Sequence, residues 1–457
     1  MIGYLVRSLI ARSSLQRVLH KHFGHSDLGN IVTAAREFPI NSRVDLQTAV
    51  DQQFTNRANT TLLAVHSQMN QTETVTFAHL LTRGPFPIDL APLQHDEVDI
   101  GDEQPVRCLK NGLWLSKEEE VPFALIVAPG NRFGMCSGMH VEVATPAGER
   151  GTQLSQRLLR DLELRVGAGR AYRGRVISLE SQYEYTGTGG AVKVHRLRKV
   201  HRDDVILPEK TLTLLDRNIG RFVAARDQIR ALKFSTKKGL LFYGPPGTGK
   251  THTIHYLATE LPEHTTLLVT AEQVGMIGEY FRLARFLQPA IMVIEDVDLI
   301  ARERTHMRGP IEEVLLNKLL NEMDGLREDA DVLFILTTNR PDQLEPALAS
   351  RPGRIDQAIE FPLPDDTCRR KLVALYSRDP RVPPPILDLI VRRSEGSSAA
   401  FIKELMRRSA QFQLELGGHP ELRQAAVDAA IEEMLFAGGA LNVSLLGGSI
   451  AGSGRPS

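Results

Sequence analysis

The chain has 457 residues, with 55 Lys and Arg against 55 Asp and Glu, so its formal net charge is +0. That balance gives no bulk electrostatic pull toward nucleic acid or an anionic membrane, and the length sets a prior of about two to four domains. The three cysteines, Cys108, Cys136 and Cys368, are scattered and odd in number. They suggest a reducing, cytoplasmic setting rather than a disulfide framework, and no apolar run reaches the length of a transmembrane helix.

The first 26 residues contain no acid but carry Arg7, Arg12, Arg17 and Lys21, with Ile2, Leu5, Val6, Leu9 and Ile10 at helical spacing. The plain reading is an amphipathic first helix packed on its own domain. A targeting or membrane-surface helix is the alternative. Residues 27 to about 200 carry no chemical motif. Val44–Phe54 and Gly151–Leu162 read as helices; Phe123–Val127, His140–Val143 and Arg173–Leu179 read as strands. Met135-Cys136-Ser137-Gly138-Met139-His140 lacks zinc-ligand spacing and reads as a turn. Thr186–Gly190 reads as a loop, and the basic stretch Lys193–Arg202 as a solvated strand face near a domain boundary.

Gly244-Pro245-Pro246-Gly247-Thr248-Gly249-Lys250-Thr251 is a complete phosphate-binding loop. The apolar run Gly239–Tyr243 before it reads as a buried parallel strand, and His252–Glu260 after it as a helix, which is the setting the motif requires. Backbone N–H groups of such a loop turn inward on phosphate, and the helix N-terminus adds its positive dipole end. Lys250 would reach the β- and γ-phosphates, Thr251 would hold Mg²⁺, and His252 opens the helix beside them. Thr266–Thr270 reads as the next strand. Ile291-Met292-Val293-Ile294 shows no alternation, as a strand buried on both faces would, and it ends in Glu295-Asp296. Those acids would open into the crevice that holds the phosphate loop.

Further along come Leu319–Gly325 as a helix, Val332–Thr337 as a strand, then Thr338-Asn339-Arg340-Pro341 and Arg351-Pro352-Gly353-Arg354. With these in order, residues from about Asp204 to Arg408 resemble the ATPase module of the AAA family, within the AAA+ class. The resemblance implies an α/β fold. Its core would be a P-loop NTPase parallel sheet of AAA type (201–364), followed by a small helical lid (365–437) and preceded by a mixed α/β accessory region (1–200). It implies ATP and Mg²⁺ as cofactors, Asn339 as the polar sensor, and Arg351 and Arg354 as fingers entering a neighbouring subunit's site. That in turn implies a ring of identical subunits, usually a hexamer.

Several positions depart from the family pattern. Most members place Asp before Glu at the end of the second strand; here Glu295 precedes Asp296. The same order occurs in the mitochondrial AAA translocases that assemble respiratory complex III. By position Glu295 joins Thr251 at the metal, and Asp296 stands where a longer Glu normally polarises water. The tripeptide matching the family's aromatic pore loop is Met276-Ile277-Gly278. It reads either as a flexible grip on an extended polypeptide or as a core-facing Met-Ile pair.

Asp366–Tyr376, Ile386–Arg393, Ala399–Leu414 and Glu421–Leu435 read as lid helices, with Ser398 capping the third. Residues 438–457, rich in Gly and Ser, read as a flexible tail. No His-Glu-x-x-His occurs in the sequence, which argues against a fused metalloprotease. No nucleic-acid reader motif is present. The expectation is a ring ATPase that remodels, unfolds or threads an unidentified protein client. The alternative is a nucleotide-dependent assembly switch with slow turnover.

Overall fold

The structure is a computed structural model. It describes residues 14–434 apart from 25–27, 55–56, 58, 67–72, 82–87, 133–134, 181–191, 299–317, 320, 328–329, 343–353, 378–380 and 419. Arg351, the loop Thr186–Gly190, the first 13 residues and the tail 438–457 therefore lie outside the described residues. The chain divides into two compact units, one of Met1–Tyr172 with Leu179–Val194, the other of Arg173–Ser178 with His195–Ser457.

In the first unit the strands are β1 (Ile31–Phe38), β2 (Thr61–His66), β3 (Asp89–Ala91), β4 (His95–Val98), β5 (Val106–Leu109), β6 (Gly112–Glu118), β7 (Val121–Arg132) and β8 (Met135–Pro146). Six of them form an antiparallel sheet in the order β1-β8-β7-β6-β2-β3, and β4 and β5 make a separate hairpin. The helix Ser14–His22 buries Leu15 and Leu19 against Phe77, Leu113, Ala124 and Ile126. The apolar positions Ile2 to Ile10, on which the amphipathic-helix reading rests, lie outside the described residues. The hexapeptide from Met135 to His140 is strand rather than turn, because it pairs with β7 from Arg132 back to Ala128. The helices foreseen at 44–54 and 151–162 run Arg43–Phe54 and Glu149–Gly167.

Next in the chain come β9 (Val176–Leu179), β10 (Val192–Val194), β11 (Lys238–Tyr243), β12 (Thr265–Val269), β13 (Ala290–Ile294), β14 (Val332–Thr338) and β15 (Gln357–Glu360). In the second unit the strands lie in the order β9-β12-β13-β14-β11-β15, every pair parallel. Here the sequence boundary at residue 200 needs correction. Val176 and Ile177 pair with Thr266 and Leu267, so β9 belongs to this sheet and not to the accessory region. Every residue of β13 and β14 is buried, which explains their unbroken apolar runs. Leu240, Phe242, Ile291, Val293 and Ile335 share one core with Ile254 and Leu257 of the helix Lys250–Glu260.

Four helices follow: Asp366–Ser377, Pro384–Arg393, Ala399–Glu415 and Gln424–Glu432. They enclose a core of their own, including Leu372, Ile390, Phe401, Leu405, Val427 and Ile431. Ser398 Oγ accepts from the Phe401 N–H at 3.2 Å, as an N-cap should.

Candidate nucleotide site

The sequence places its chemistry at the carboxyl ends of β11, β13 and β14, and the fold brings those ends together. A cavity of about 360 Å³ opens there, lined by the phosphate loop from Pro246 to Thr251 and by Asp296 and Asn339. The glycines are needed where the loop is tight. Gly247 has φ +75°, and a Cβ there would sit 2.8 Å from the Ala400 Cβ and 2.9 Å from Ser398 Oγ. The Ala400 N–H also donates to the Gly247 carbonyl at 3.1 Å, tying the loop to the first turn of the third lid helix.

Lys250 is buried, with Nζ donating to the Gly244 and Pro245 carbonyls at 2.8 and 2.9 Å. Burial pulls its ammonium down to about 8, against the opposing charges of Asp296 and Asp298. Thr251 Oγ1 donates to Glu295 Oε1 at 2.9 Å. Two cis ligands of one Mg²⁺, each at about 2.1 Å, would lie about 3 Å apart. Thr251 and Glu295 therefore fit the metal, and hard oxygen donors suit it.

Asp296 faces the other way. Its Oδ1 accepts from Asn339 Nδ2 at 3.0 Å, and its N–H donates to Thr337 Oγ1 at 3.0 Å. It holds φ +47°, a left-handed backbone that Asp tolerates better than most residues. Burial and the neighbouring charge of Asp298 raise its pKa, while Lys250 and Asn339 oppose the rise. The two acids thus have separate partners: Glu295 beside the hydroxyl of the phosphate loop, Asp296 beside the amide after β14.

Asp298 escaped the sequence reading. It is 3% exposed, and its Oδ1 accepts from Thr338 Oγ1 at 2.8 Å and from the Asn339 N–H at 3.1 Å. It anchors the residue whose side chain reaches Asp296. The third acid of Glu295-Asp296-Val297-Asp298 was the available signal. Asp204–Leu207, Leu372, Tyr376 and Lys403 also line the cavity and carry no motif. The exposed His252 lines it too, its Nε2 3.2 Å from the Asp204 carbonyl oxygen.

Arg354 is elsewhere. A Cβ on Gly239 would sit 2.1 Å from its carbonyl oxygen, which places Arg354 at the start of β11. The strand's length, about 16 Å over five residues at ~3.3 Å each, separates that point from the phosphate loop. Its side chain, 11% exposed, pairs with Asp324. Of the expected pore tripeptide, Ile277 is fully buried and opens the helix Ile277–Phe286, while Met276 and Gly278 are half-buried. The burial of Ile277 agrees with a core-facing side chain at that position. Among the described residues no group of three or more His, Cys, Asp or Glu is placed to hold a metal, and no helix is long and apolar enough to cross a membrane.

This constellation on a parallel sheet defines a P-loop nucleoside triphosphatase fold. Residues 240–363 match the model of the ATPase family associated with various cellular activities (AAA). The chain is 37% identical over 194 residues to the 26S proteasome regulatory subunit 6B homolog of Schizosaccharomyces pombe, covering 40% of this chain and 50% of that protein. It is 38% identical over 180 residues to the proteasome-activating nucleotidase of Methanocaldococcus jannaschii, covering 37% and 42%. Over 186 residues it is 34% identical to the cell division cycle protein 48 homolog of Archaeoglobus fulgidus, covering 39% and 25%. The chain spans at most about half the length of these relatives. It carries a single AAA-family ATPase module with the AAA fold.

Proposed function

We propose that this chain hydrolyses ATP with Mg²⁺ as a subunit of a homo-oligomeric, hexameric ring, and that the ring remodels or threads a protein client in the cytoplasm. The observation that carries the reading is the split of partners at the end of β13. Glu295 with Thr251 would hold the metal, while Asp296 with Asn339 would orient and deprotonate the attacking water. The raised pKa of Asp296 suits a base. Lys250 would exchange its loop carbonyls for phosphate oxygens. The metal would supply charge neutralisation on the phosphates.

Reach supports the ring. Arg354 lies a strand's length from its own phosphate loop, so an arginine there serves a neighbour's site or none. Arginine near a transferring phosphoryl group stabilises developing charge, and its planar fork suits the phosphate oxygens. Arg351 would act beside it. The burial of Ile277 favours a second reading, a slow assembly switch without a polypeptide grip.

Mixing variants tests the proposal. Lys250→Ala should fail to bind ATP, and Arg354→Ala should bind it without turnover. Their mixture should recover part of the activity, because an arginine finger is worth about 10³–10⁵ in rate. A protein that hydrolyses ATP at full rate as a monomer would refute the ring. Stimulation of turnover by an unfolded protein separates a remodeller from a switch.

A further inference from the structure

A second cavity opens in the second unit, about 410 Å³ against about 360 Å³ for the nucleotide cavity. It lies between the helix Lys250–Glu260 and the helix Glu209–Leu215 with the turn that follows it. Its floor is apolar: Leu212, Leu215, Ile219, Tyr256, Leu257 and Leu261. A concave apolar site of this volume with a few polar groups suits a small organic ligand. The backbone widens beside it. Arg221 N–H donates to the Asp216 carbonyl, so Asp216–Gly220 form one π turn. Such turns are frequent at functional sites, and Asp216, Ile219 and Gly220 of this one line the cavity.

The charges on the rim select the ligand. Three acids, Glu209, Asp216 and Glu260, and two arginines, Arg202 and Arg221, line it. Arg221 Nε pairs with Asp216 Oδ2 at 2.7 Å, and Arg202 Nη1 donates to the Val205 carbonyl at 3.4 Å. Glu209 and Glu260 have no ion pair among the described residues. Both arginines are therefore engaged while two carboxylates are not. Glu260 follows Tyr256 by one helical turn, and Asp216 stands on the opposite wall. Burial raises the pKa of the Tyr256 phenol, Glu260 and Asp216 raise it further, and Arg202 opposes them, which gathers these charges about that ring. An aromatic face beside carboxylates is a setting for an ammonium group.

We propose that this cavity binds a small amphipathic amine, its apolar body on Leu212, Leu215 and Ile219 and its ammonium beside Tyr256 and Glu260, and that the amine tunes nucleotide binding. Val205 and Thr253 line both cavities. Thr253 Oγ1 also donates to the Gly249 carbonyl of the phosphate loop at 3.0 Å. A ligand packed behind Val205 and Thr253 holds that wall in place and tightens nucleotide, and nucleotide tightens the amine by the same factor. The coupling rests on the nucleotide reading; the amine site does not.

A ligand-detected NMR titration of the full chain with 4-phenylbutylamine tests this, with 4-phenylbutanol and 4-phenylbutyrate as neutral and anionic controls. The amine should saturate with a Kd of about 1 mM or tighter. Glu260→Gln should weaken it by about threefold to fivefold, and both controls should bind more weakly by at least that factor. Leu212→Trp, which fills the cavity, should abolish saturation. Saturating amine should tighten the binding of Mg²⁺ with a slowly hydrolysed ATP analogue by about fivefold or more in wild type and leave it unchanged in Leu212→Trp. No saturation at about tenfold higher amine, a butyrate that binds as well as the amine, or an unaffected Glu260→Gln overturns the site. Saturable amine with unchanged nucleotide affinity overturns the coupling alone. A chain that binds the amine but no nucleotide overturns the nucleotide reading and the coupling with it, and upholds the amine site.

Discussion

Asp298 is the sharpest place to test the site. Its carboxylate is buried and takes two hydrogen bonds, from Thr338 Oγ1 at 2.8 Å and from the Asn339 N–H at 3.1 Å. A hydrogen bond to a charged group is worth about 1.5–3 kcal/mol net. Because both share one oxygen, the lower end applies, about 3 kcal/mol for the pair. Asp298→Ala should lower the unfolding temperature by roughly 6–12 °C, at ~2–4 °C per kcal/mol for a domain of this size. It should also free Asn339, whose amide reaches Asp296 at 3.0 Å. A displacement of about 1 Å at a catalytic group can cost ~10² in rate, so kcat should fall by that order while ATP affinity holds. Asp298→Asn keeps the acceptor oxygen and loses the charge; its kcat should stay within about tenfold of wild type. Steady-state turnover with nucleotide titration reads both. Wild-type kcat in Asp298→Ala would refute the reasoning.

Asp296→Asn should bind Mg-ATP normally and hydrolyse it slowly, which single-turnover kinetics would show; turnover at the wild-type rate moves the base to Glu295. In the first unit burial disfavours the His140 imidazolium, but Glu142 and Glu37 outweigh it and raise the pKa above its ordinary 6.5. The charged pair therefore adds stability that is full below 6.5 and is lost as pH rises through the raised value. Calorimetry of that unit's transition between about pH 6 and 8 should show this loss, and His140→Gln should flatten it. Ser398→Ala should destabilise the lid by about 1 kcal/mol, read from denaturant unfolding; no change would mean the 3.2 Å cap bond is idle.

The ATPase unit was legible where one residue type had one physical use. Glycines and Lys250 announced the loop, and unbroken apolar runs announced β13 and β14. The first unit was harder. β8 alternates His140 and Glu142 with Val141 and Val143, yet both faces are buried, so its polar residues mark no solvent side. β7 runs on past the Phe123–Val127 read from sequence, through Pro129 and Gly130, a dipeptide that usually punctuates a turn. The strand β9 looked like part of the accessory region because chain order, not composition, set that boundary. Asp298 was passed over because an acid after a strand is usually solvated; its burial and two donors set it apart. Leu414 passed as an ordinary helix residue, since exposure is a property of packing and not of sequence.

The bond from Ala400 to Gly247 gives the lid the geometry of a lever. It joins the phosphate loop to a helix of 17 residues, about 25 Å long at ~1.5 Å per residue. Tilting that helix by only about 10° at Ala400 would swing its far end by roughly 4 Å over that length. A small tilt at the loop would thus become, at Leu414, a displacement of about 4 Å.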